Sequence, residues 1–196
     1  MAIIAEEQKA ALKEWAVAVE ALLEGSQILI MRKGGIIEET RHFELVTDSF
    51  YFYPTYEHQK KRLLKEEYQD RLDRTLVGWT PEDKSVTIRA YAEAVEDIEV
   101  FSQEELNRLR ELHIWTDEFS SERLHWKKTQ PLHVILLRVY KLVEPIEADI
   151  REEYIGCKSW LELQSPLPAG VQAEPVLSDE EFERRCMEVK EALGRV

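Results

Sequence analysis

Cysteine is nearly absent from this chain: Cys157 and Cys186 are the only two in 196 residues. That excludes a disulfide framework, and two thiols are too few for a zinc site without histidine help. Long apolar runs are also missing. The densest, HVILLRVY from His133, falls far short of the roughly 18 residues that a membrane span needs. The opening MAIIAEEQKAALKEW carries acidic residues where a signal peptide needs basic ones, and its apolar run is too short. The expectation is a cytoplasmic protein with free thiols and no membrane partner.

Positive charge is scarce as well. Lys and Arg number 26 against 39 Asp and Glu, for a net charge of −13. Taken whole, such a chain repels phosphate and is no indiscriminate nucleic-acid binder. The signatures GxSxG, HExxH, GxxxxGK[ST], GxGxxG and CxxC are all missing. The five histidines, His42, His58, His113, His125 and His133, show no HxH or HxxxH spacing. No cofactor or metal is implied, and the balance leans away from an enzyme.

What is present suits one domain over residues 1–196, with 164–196 as a proline-containing connector plus a C-terminal helix. At 44% hydrophobic and 33% charged, the chain can bury a sizeable core. Apolar spacing predicts a helix from Glu6 to Leu23, stopped at Gly25. Ile28–Met31, Phe43–Val46 and Phe50–Tyr53 read as strands, the last two as a hairpin. A helix is predicted over Glu57–Leu76, capped by Thr55. Val86, Ile88, Ala90 and Ala92 alternate as a strand, and His133–Leu142 reads as a central strand between Pro131 and Pro145. Ser159–Leu163 completes the strands. Capping boxes at Ser102 and Ser178 open helices ending near Leu112 and Leu193. The fold class is α+β: a mostly antiparallel sheet or small barrel flanked by helices at both ends.

Charge is unevenly spread. Residues 93–122 and the tail from Glu174 are rich in acid. Residues 123–141 hold Arg123, Lys127, Lys128, Arg138 and Lys141 with no carboxylate, and residues 58–65 hold Lys60, Lys61, Arg62 and Lys65 with none. Just before the second group stands FYFYPTYEHQ. Its tyrosines suit half-wet sites, and Thr55, Glu57, His58 and Gln59 crowd several hydrogen-bonding groups together. Free N–H groups at a helix start there would favour an anion. Arg32, Lys33, Gly34 and Gly35 add cations on a loop open to close approach, and Trp126 precedes Lys127 and Lys128. Rings to stack, amides for base edges and cations for phosphate are the parts of a nucleic-acid or nucleotide pocket. The plainer account is a strand, a helix cap and a solvated charged face.

The segments ALKEWAVAVEALLEG, ILIMRKGGI, FYPTYEHQ, HIW, PLHVILLRVYKLVEP, YIGCKSWLEL and PVLSDEEF, taken in order, resemble the uncharacterised bacterial and archaeal DUF1802 family. The resemblance spans about Ala11 to Phe182 and implies no established activity. Some members are joined to a restriction-endonuclease-type catalytic domain, which implies a role beside nucleic-acid cleavage and a nuclease subunit as partner. EWAVAVEALLEGSQILIMRKGGI is also similar to the opening of ASCH domains, which with EVE domains belong to the PUA-like superfamily. That likeness implies a small barrel with a pocket for RNA or modified bases.

The leading expectation is therefore an accessory domain that binds DNA, RNA, a nucleotide or a modified base. Its ligand residues are Arg32, Lys33, Gly34, Gly35, Tyr53, Thr55, Glu57, His58, Gln59, Lys127, Lys128 and Arg138. Two alternatives stand beside it. One is a metal-dependent nuclease or phosphate-processing enzyme using Glu38, Glu57 and His58. The other is an interaction module whose acidic helix and tail bind a basic partner.

Overall fold

The computed structural model describes residues 2–4, 8–33, 45–126, 130–156, 158–164, 168 and 170–195. Eight strands form one sheet: β1 (Ala2–Ile3), β2 (Ala10–Trp15), β3 (Leu29–Arg32), β4 (Ser49–Thr55), β5 (Ser85–Val100), β6 (Leu132–Asp149), β7 (Trp160–Glu162) and β8 (Gln172–Pro175). Five helices accompany it: α1 (Ala16–Leu23), α2 (Glu66–Thr75), α3 (Gln103–Arg108), α4 (Asp117–His125) and α5 (Asp179–Leu193). The strand order is β1-β8-β6-β5-β4-β2-β7, with β3 pairing the first half of β6 beside β8. Every pairing is antiparallel except β2 with β4. Among the described residues the sheet stays open, so of the two expected forms the sheet holds and the barrel does not. No helix among them is long and apolar enough to cross a membrane.

The first helix begins ten residues later than its spacing predicts, because Ala10–Trp15 is a strand. Ala11 and Leu12 are both fully buried, and they join different apolar clusters. A strand covered on both faces reads as a continuous apolar run, and such a run mimics helical spacing. The second helix likewise starts late. Glu57 and His58 lie in a turn, Leu64 bridges to Trp115, and the α-helix begins only at Glu66. Of the strand expected at Phe43–Val46, Phe43 and Glu44 lie outside the described residues and Leu45 and Val46 lie outside any strand, while β4 pairs with β2 and β5.

Two features sit in stretches read differently from the sequence. β6 runs on through Pro145 to Asp149, and Lys141 and Ile146 both find partners in β5 across an irregularity. Proline is tolerated there because a bulge needs no N–H from it. Residues 172–175, expected as connector, form β8 and pair with both β1 and β6.

Three apolar clusters make the core, and β6 contributes to all of them. Leu132, Val134 and Leu136 face the cluster that holds Trp115, Phe119 and the α5 residues Phe182, Val189 and Leu193. Ile135, Leu137 and Val139 face the opposite one, with Phe50 and Phe52. Leu142, Ile146 and Ala148 enter the third, with Tyr51 and Tyr53. The alternation is the two-residue period of a strand buried on both sides.

Candidate functional site

The switch from β2 to α1 draws together three of the expected ligand residues. Trp15, at the N-cap position, offers no capping side chain. The backbone N–H of Val17 donates instead to Gln59 Oε1 at 3.1 Å, which satisfies one of the helix's orphan donors from a distant loop. Thr55 Oγ1 donates to the Glu14 carbonyl at 3.1 Å. Arg32 Nη1 donates to Glu14 Oε2 at 3.2 Å, with Arg32 8% and Glu14 5% exposed. Arg32, Thr55 and Gln59 thus converge, and in doing so they fasten the strand to the helix.

Those of the remaining expected residues that the structure describes make other contacts. Lys33 is buried and donates to the Leu124 carbonyl at the end of α4, and burial lowers its pKa. Beside it the Arg123 guanidinium lies 4.5 Å over the Phe119 ring and is pushed down to about 10 by burial. Tyr53 is 4% exposed, its ring 5.8 Å from Tyr154, and its hydroxyl is pushed up to about 12 by burial first and the neighbouring tyrosines next. Arg138 lies 4.9 Å over Phe182 and donates to Asp179 and the Ser178 carbonyl, so it pins the start of α5. Glu57 and His58 stand in solvent, 4.0 Å apart, with His58 at φ 63. The helix start expected to hold an anion there is absent, since these residues form a turn. Gly34, Gly35, Lys127, Lys128 and Glu38 lie outside the described residues. Among the described residues no three His, Cys, Asp or Glu side chains gather to hold a metal.

A cleft of about 330 Å³ opens between α1, α2 and the sheet. Its chemistry comes from Glu20, Glu24, Tyr56, Arg71, Arg74 and Arg89. Glu20 on α1 and Glu24 at its C-cap are one turn apart, and Arg71 and Arg74 share a face of α2 at three-residue spacing. Arg89 sits where the β5 register shifts between Ile88 and Ala90, and such an irregularity re-aims a side chain. Glu20 pairs with Arg89 and Glu24 with Arg71, which also donates to Ser26 Oγ at 3.2 Å. Arg74 is exposed and makes no ion pair among the described residues. Tyr56 stacks on Trp79, centroids 5.6 Å apart and planes 20° from parallel. Burial, then the Glu147 and Asp83 carboxylates, raise the Tyr56 pKa and keep its hydroxyl a donor.

Only Tyr56 of this group was singled out in the sequence, as one of three tyrosines suited to half-wet positions. The i, i+3 arginines within EEYQDRLDRT were the available signal for the rest. Their meeting with Glu20, Glu24 and Arg89 depends on packing that no local pattern encodes.

The class is thus an α+β domain built on an open, mostly antiparallel sheet, with an arginine-rimmed cleft beside its first helix. The chain belongs to the family described as Domain of unknown function (DUF1802), which matches residues 11–188. Among solved structures it is similar to the crystal structure of ASCH from Zymomonas mobilis, at 12% identity and a TM-score of 0.45, covering 91% of this chain and 92% of that one. A mutant form of the same protein aligns at 12% identity and a TM-score of 0.43, covering 94% of this chain and 98% of that one. A comparison with curated proteins returns no match.

Proposed function

We propose that the chain is a nucleic-acid-binding module and that the cleft between α1 and α2 receives part of the strand. One observation carries this reading: a positively rimmed cleft on a chain of net charge −13. Its three guanidiniums outnumber its two carboxylates, so the lining is cationic while the molecule is not. The volume, about 330 Å³, lies at the small end of ligand sites, near 300 Å³. That is room for one unstacked base and its sugar, not for a folded polymer. Arg74 supplies a donor for phosphate, and Tyr56, backed by Trp79, supplies an aromatic border against which a base can lie. The residues first expected to touch ligand support the reading indirectly, because Arg32, Thr55 and Gln59 hold α1 in place as one wall.

Short DNA and RNA oligonucleotides titrated at ~50 mM salt, where phosphate contacts are strongest, test the proposal. Binding that weakens with salt and is lost in Arg74→Ala is the expected result. Absence of binding to either polymer at that salt overturns it. None of the matched proteins is named for a nuclease, and Glu57 and His58 have no third ligand among the described residues. The reading therefore stops at binding.

A further inference from the structure

The arginines of the cleft are not equivalent, and the difference defines what the cleft accepts. Glu20 and Glu24 project from the same helix face and occupy Arg89 and Arg71 respectively. Each carboxylate engages one guanidinium nitrogen and offsets its charge, and so competes with an incoming phosphate for that donor. Arg74 alone is left to meet an incoming anion. Duplex DNA presents a charge every ~1.7 Å along its axis, and one available guanidinium in a narrow cleft cannot follow that array. A single nucleotide swung out of a flexible strand matches it: one monoanionic phosphodiester for Arg74, one ring for Tyr56.

We infer that Glu20 and Glu24 act as built-in competitors for phosphate, which makes the cleft a one-phosphate site selective for single-stranded nucleic acid. This rests on the binding function proposed above and adds its specificity residues. Both carboxylates are at least partly exposed, and glutamine keeps their size while removing the charge that holds each arginine. The paired substitution Glu20→Gln/Glu24→Gln frees two guanidiniums without opening the core.

The salt dependence of binding to a single-stranded oligonucleotide reads the number of phosphates engaged. On a single strand each phosphate contributes about −0.7 to the slope of log K against log salt. The wild type is expected near −0.7 and the double variant near −2, with each single variant between them. Affinity at ~50 mM salt rises roughly tenfold in the double variant. A control pair on α5, Glu180→Gln/Glu183→Gln, makes the same change in net charge and leaves the slope unmoved. A duplex of the same sequence binds the wild type less well than the single strand.

If the wild type binds but the cleft pair leaves the slope unchanged, or shifts it no more than the α5 pair, the competitor role is wrong while the binding function stands. Equal wild-type affinity for duplex and single strand overturns the selectivity. No binding by any form, with the fold confirmed by circular dichroism, ends both proposals.

Discussion

His113 is 3% exposed, and its Nδ1 accepts a hydrogen bond from the Trp115 backbone N–H at 3.1 Å. The proton of the neutral ring therefore sits on Nε2, which has no partner among the described residues. Burial above all, and the Lys65 cation next, push the His113 pKa down to about 4. A folded pKa below the unfolded value of about 6.5 means that the unfolded chain takes up a proton the native state refuses. Stability is intact above pH ~6.5 and falls as pH drops towards 4, by up to about 3 kcal/mol. Urea unfolding at pH 7 and pH 4.5 measures the loss, and His113→Asn, which keeps an acceptor, flattens it. His133 has the opposite sign: its hydrogen bond to Asp97 raises its pKa, so its smaller contribution fades as pH rises. At Glu14, replacement by Ala removes the carboxylate that holds buried Arg32, and equilibrium unfolding should show a loss of about 3 kcal/mol. The importance of Glu14 was not legible in the sequence, where it reads as one more acid in a helical stretch. Its partner Arg32 was picked out as a cation for phosphate, since nothing local distinguishes a buried guanidinium from an open one.

Among the elements, the two helix starts that open on capping residues were the most legible, because a cap is a local event, whereas those of α1 and α2 were not. Ser102 and Glu105 exchange hydrogen bonds in a full capping box at α3, and Ser178 accepts from the Glu181 N–H at α5. Ser102→Ala should cost about 1 kcal/mol in thermal or urea unfolding. The end of α1 was equally plain. Gly25 has φ +68, and a Cβ there would meet Leu177 at 2.8 Å. Gly25→Ala therefore combines backbone strain with a clash and should destabilise by more than about 1 kcal/mol, read in the same assay. Elements defined by distant partners were not legible. β2 passed for helix because its neighbours are Tyr51–Thr55 and Trp160–Glu162. β8 passed for connector because Ala173 is buried only once β6 lies beside it.

At the scale of the molecule, β6 ties the three apolar clusters to one another. Damage to one should therefore spread to all, and the expected equilibrium behaviour is a single cooperative transition. Far-ultraviolet circular dichroism and tryptophan fluorescence should give superimposable urea curves; separated midpoints would show independent units. The C-terminal stretch belongs to this unit, since Phe182, Val189 and Leu193 lie in the same cluster as Trp115. The cleft belongs to this scale too. Glu20, Arg71 and Arg89 come from three separated elements, and only the packing of α1 and α2 against the sheet assembles them. That is why no local pattern in the sequence marks Glu20, Arg71 and Arg89 as neighbours.

The pairing of β2 with the distant β7 bears on how the chain is made. β2 leaves the ribosome well before residues 160–162, which supply its second flank. A nascent or prematurely terminated polypeptide carries that strand with one bare edge, open to chaperones, proteases and like strands of other copies. Truncated translation products of this protein should thus be its most aggregation-prone species.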